Sequence, residues 1–154
     1  MPNLPLPLLI AALVLLFVLA FALLFGAIWA GVLYLVHHFG WRGLERWYAT
    51  APPTGEAFPL SWGMVGGARY RSALNAWISE DGLWIRPGWI FATFSPLAFV
   101  PWRNVQTVQR GTGPRGIPVT VIELAQSPVR LKFAGALGDA VLQRWEDRQS
   151  RALN

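Results

Sequence analysis

Apolar side chains run without interruption from Leu8 to Val36, and the phenol of Tyr34 is the only hydroxyl, amide or charge among those 29 residues. As a helix the run is ~43 Å long at ~1.5 Å per residue, against ~30 Å of hydrocarbon in a bilayer. It is apolar on every face, which a buried helix of a small soluble domain is not. It is also about twice the length of a signal-peptide core and has no basic residue ahead of it. The pattern predicts one transmembrane helix.

The period then changes. Trp41, Leu44, Trp47 and Tyr48 fall on one face of a short amphipathic segment, with Arg42, Glu45 and Arg46 turned elsewhere. Trp and Tyr favour the headgroup layer, so this face predicts interfacial anchors. Ala51 to Gly55, with Pro52-Pro53, breaks the chain, and the stretch Ala49 to Ala57 reads as a short, stiff tether.

Beyond it a period of two holds for some eighty residues. Tyr70, Ser72, Leu74, Ala76 and Ile78 alternate with their neighbours. Asp81-Gly82 turns the chain into Leu83 to Arg86. Trp89 to Phe94 and Leu97 to Val108 read as further runs, the second holding Pro101, which marks an edge, a bulge or a strand-to-strand bend because it cannot donate to a ladder. Val119 to Leu124 and Val129 to Phe133 are two more strands. After Gly135 a 3.6 period places Leu137, Val141, Trp145 and Ala152 on one stripe, with Asp139 in the first turn. The expected fold is all-β, a barrel or bent sandwich of six or seven antiparallel strands with a C-terminal helix, behind one transmembrane helix. The expected segments are 1–39 as anchor, 40–57 as juxtamembrane segment and linker, and 58–154 as the β domain.

Two phrases carry a resemblance. Gly82-Leu83-Trp84, followed by Leu97-Ala98-Phe99-Val100-Pro101-Trp102-Arg103-Asn104-Val105, is similar to the motif of bacterial pleckstrin-homology-like domains, which themselves resemble the GRAM group. The likeness covers about residues 58–152, with Val100 and Val105 where Ile is commoner. It implies that Pro101 sets a bend and that Trp102 fills the barrel core. It carries no basic headgroup-binding signature in the first hairpin.

Composition narrows the function. All thirteen basic and eight acidic side chains lie at or beyond Arg42, so the β domain carries the whole net charge of +5. Arginines are scattered singly, which fits anionic headgroups better than nucleic acid. Arg42, Arg46, Arg110 and Arg115 are the expected headgroup contacts. Arg42 and Arg46 follow the span and no basic side chain precedes it, so the positive-inside rule puts the N-terminus out and the domain in the cytoplasm. Ala22, Gly26 and Ala30 recur every four residues and form a candidate helix-packing face.

Chemistry finds little support. Gly111-Thr112-Gly113-Pro114-Arg115-Gly116 spells G-x-G-x-x-G, but a β-branched run follows it where a dinucleotide site needs a helix. His37 and His38 are adjacent and have no third ligand near in sequence, so no metal is expected. No nucleophile–base–orienter set can be assembled, and no catalytic residue, cofactor or small-molecule substrate is expected. The sequence reads as a single-pass protein of a bacterial inner membrane. Its cytoplasmic PH-like domain would bind a membrane-protein partner or its own oligomer; sensing of anionic lipid is the alternative, and service as an enzyme's accessory subunit a more remote one.

Overall fold

The computed structural model describes residues 5–152. The chain divides into two compact units, residues 1–35 and 36–154. The first is helix α1, Leu6–Val36, whose last residue already belongs to the second unit. It carries no charge and is long and apolar enough to cross a membrane. Its side chains from Leu6 to Val32 are exposed.

The second unit is built on one antiparallel sheet. Its strands are β1 (Glu56–Val65), β2 (Ala68–Ile78), β3 (Gly82–Pro87), β4 (Ala98–Pro101), β5 (Val105–Thr112), β6 (Pro118–Leu124) and β7 (Arg130–Phe133). Their order across the sheet is β4-β3-β2-β1-β7-β6-β5. The two outermost strands, β4 and β5, are joined by a single turn, Trp102–Asn104. In a flat sheet they would lie six strand spacings apart, roughly 29 Å. The chain from Pro101 to Val105 reaches at most ~14 Å. The sheet must therefore curl, and it forms a half-barrel with its open seam between β4 and β5.

β1 carries much of the curl. It pairs with β2 along its length but with β7 only at Gly63, Met64 and Val65, and its register slips on either side of Ser61. Such bulges bend a strand and increase its twist. Gly63 sits at that corner: a Cβ there would lie 2.6 Å from Leu74 Cδ2 and 2.9 Å from Phe133 Cδ1. Only a bare backbone lets the two halves of the core meet.

The alternation of β2 is seen as expected, with Tyr70, Leu74, Ala76 and Ile78 buried and Ser72 thrown out in a left-handed kink (φ 48°). Pro101 ends the edge strand β4, where its missing N–H costs no ladder bond. Trp102 then turns inward, 2% exposed, its indole N–H donating to the Ser79 carbonyl at 3.0 Å. Helix α2, Gly135–Ala152, lays Leu137 and Val141 into the core and Trp145 against it. Because α2 starts at Gly135, Asp139 lies just past its first turn.

Trp89 to Phe94, expected as a strand, is not one. Successive turn bonds, Phe91 N–H to Gly88 O and Ala92 N–H to Trp89 O, coil it into a loop between β3 and β4. The bend expected at Pro101 is present: Leu97 to Val108 turns at Trp102–Asn104 and divides into β4 and β5. A further correction concerns the residues after α1. His37–Trp41 forms a single π turn and Arg42–Trp47 a 3₁₀ helix, and both belong to the half-barrel unit. Trp41 and Leu44 are fully buried and Trp47 is 7% exposed. The amphipathic face found in the sequence is real, but it packs on protein and not in headgroups. The stretch Ala49 to Ala57 is accordingly an internal connection and no tether.

Candidate functional site

The half-barrel is stoppered by this entry segment, 37–48. Its backbone is stitched to two places, and a third bond follows it: Gly67 N–H donates to the Phe39 carbonyl at 2.9 Å, Ser127 Oγ to the Gly43 carbonyl at 3.1 Å, and, just past the segment, Ala49 N–H to the Leu97 carbonyl at 2.9 Å. Tyr48 makes a bridge to Ala98 on the outer edge of β4. The β1–β2 turn, the β3–β4 loop and the β6–β7 turn thus gather around the point where the chain enters the unit.

At the centre of that end the Trp41 indole N–H donates to the Tyr70 hydroxyl at 2.6 Å. The Phe91 ring stands edge-on to Tyr70, 5.8 Å between centroids. Burial pushes the Tyr70 phenol up to about 12, an effect partly offset by the Trp41 bond and by the neighbouring Ser95 hydroxyl. Ser95 Oγ is itself buried and lies outside strict hydrogen-bond geometry. Tyr48 is also raised, by burial and by the charge of Glu45.

The four arginines expected at headgroups do not form one patch. Arg42 is exposed and lies 3.4 Å from His38 Nε2. Arg46 bonds Gln126 Oε1 at 3.2 Å, just beyond the C-terminal end of β6. Arg110 pairs with Asp139 of α2 at 3.3 Å, and Arg115 stands in the turn before β6 begins. The seven residues of β6 separate Arg115 from the Arg46 contact by about 20 Å at ~3.3 Å per residue, and Arg110 lies opposite Thr120, partway along that strand. Two exposed arginines that the sequence did not single out, Arg69 and Arg71, flank Tyr70 on β2, whose hydroxyl accepts from Trp41 of the entry segment.

The G-x-G-x-x-G stretch closes the β5–β6 hairpin, and strand β6 follows it. Ala22, Gly26 and Ala30 are all exposed, and a Cβ on Gly26 would meet nothing within 4 Å. Among the described residues no group of three or more His, Cys, Asp or Glu could hold a metal ion. A groove of about 610 Å³ lies between α2 and the β2–β3 turn, with Glu56, Glu80, Asp81, Arg144 and Asp147 in its lining. A shallower one of about 380 Å³ runs along β4 beneath Arg46 and Arg103, with Tyr48 and Phe99 in its wall.

The sequence placed Trp89 in a strand and gave it no role at a site. It is the most exposed large apolar side chain of the described residues, at 86%, and Ile90 and Phe94 beside it are also exposed. A signal was present: from Pro87 to Pro101 there is no charged residue and no amide. Compared with known proteins, the chain has no match to a family model, to a curated protein or to a solved structure.

Proposed function

We propose that this chain is a single-pass membrane protein whose half-barrel is a PH-like binding module held at the cytoplasmic face of a bacterial inner membrane. One observation carries the reading: an uncharged apolar helix of 31 residues runs directly into residues buried in the half-barrel. Only four residues separate the helix's end at Val36 from Trp41. A module so joined has its surfaces at high effective concentration for anything else in the same membrane. Its role is then to engage a membrane-protein partner or a second copy of itself. The PH-like assignment is supported by the half-barrel with its C-terminal helix and by Pro101-Trp102 at the bend. The arginines after the span and their absence before it support the orientation.

A second reading, sensing of anionic lipid, is favoured by the exposed Arg42, Arg69 and Arg71. Photo-crosslinking of the full chain in its native membrane separates the two. A discrete larger protein species, homo- or heteromeric, supports the binding role. Crosslinks to lipid alone would replace it with the lipid-sensing one.

A further inference from the structure

We propose that the β3–β4 loop, Gly88 to Ser95, inserts into the bilayer and gives the half-barrel a second attachment beside the helix. This rests on the reading of α1 as a membrane span.

The loop has an apolar tip and a rigid root. At the tip, Trp89, Ile90 and Phe94 are exposed at 86%, 39% and 40%. Among the described residues no other part of the half-barrel offers three large apolar side chains to solvent within six residues. At the root, Phe91 packs on Tyr70, Ser95 is buried, and Gly88 N–H donates to the Ala73 carbonyl at 2.6 Å. The tip is therefore presented by the fold and is not a frayed end.

Its position selects lipid as the occupant. Phe91 touches Tyr70, Tyr70 holds Trp41, and Trp41 lies five residues beyond the end of the apolar helix. The loop therefore sits at the end of the half-barrel where the chain arrives from the bilayer. Phe39, on the same entry segment, is 65% exposed. Tryptophan favours the headgroup–acyl boundary, and the exposed guanidiniums of Arg69 and Arg71, which flank Tyr70, suit lipid phosphates. The turn bonds at Phe91 and Ala92 satisfy backbone donors internally, which lowers the cost of taking the loop out of water. With a second attachment at Trp89, the half-barrel would offer one fixed face to partners.

The chain contains no cysteine, so single nitroxide labels can be placed cleanly on the full chain in vesicles of phosphatidylethanolamine and phosphatidylglycerol. Labels at Trp89→Cys, Leu19→Cys and Thr112→Cys are compared for collision with oxygen, which concentrates in lipid, and with a water-soluble nickel chelate. The label at 89 should show an oxygen-to-nickel ratio several-fold above that at 112, approaching that at 19. A label at 89 as open to nickel as that at 112 would overturn the insertion. So would a label shielded from both reagents, which would mean that protein covers the loop. Failure of the span itself reads differently, since the label at 19 would then also lose its lipid signature.

Discussion

The Trp41 indole and the Tyr70 hydroxyl meet at 2.6 Å in a place closed to water, one from the segment that follows the apolar helix and the other from near the start of β2. That bond ties the arrival of the chain to the sheet. It also makes the indole depend on the phenol, because the buried Trp41 N–H would lose its partner if the Tyr70 hydroxyl were removed. Tyr70→Phe should therefore destabilise the full chain in detergent by about 1–3 kcal/mol, the penalty of an unpaired buried donor. Denaturant unfolding followed by near-ultraviolet circular dichroism measures it. An unchanged midpoint would mean that the indole finds water.

Tyr70 also sets a pH response. Its folded pKa, about 12, lies above the ordinary value of 10.0, so the folded state holds the phenolic proton more tightly than the unfolded one. The stabilisation is complete below pH 10 and is lost as pH rises through about 12. It amounts to roughly 2–3 kcal/mol at ~1.4 kcal/mol per unit. Phenolate absorbance should show a last ionisation step that accompanies unfolding and disappears in Tyr70→Phe.

Gly40 tests the seating of the entry segment by a steric route. A Cβ on it would lie 2.7 Å from Ala68 Cβ and 2.8 Å from the Val65 carbonyl oxygen, so Gly40→Ala should cost about 1–3 kcal/mol of overpacking. Gly26→Ala, with nothing within 4 Å, should leave the same unfolding transition in place. Equal effects of the two would detach the entry segment from the core.

Trp102→Ala removes the largest side chain at the bend and abandons the Ser79 carbonyl. A loss of about 3–5 kcal/mol is expected, as for other large core truncations. A loss below ~1 kcal/mol would mean that the bend does not depend on its tryptophan.

Much of this was legible because the residues obey one rule at a time. The span is apolar throughout, β2 alternates, and Leu137 and Val141 keep a helical period. What escaped had two valid readings. An aromatic face at Trp41 and Trp47 serves a headgroup layer or a protein core equally well, and only the curl of a sheet assembled from distant strands decides between them. Trp89 to Phe94 has the composition of a strand, but no neighbour remains for it once β4 takes the edge of β3. Arg46 and Arg115 look alike in sequence, and the length of β6 sets them apart.

The account stands most directly on which side of the membrane the half-barrel lies. Thr112, exposed at the end of β5, can be replaced in the full chain by Thr112→Cys and expressed in a bacterium. A membrane-impermeant maleimide is then applied to intact cells and to opened ones, and the membrane fraction is assayed. The account predicts labelling only after the inner membrane is opened. Labelling of intact cells would place the half-barrel outside and contradict it.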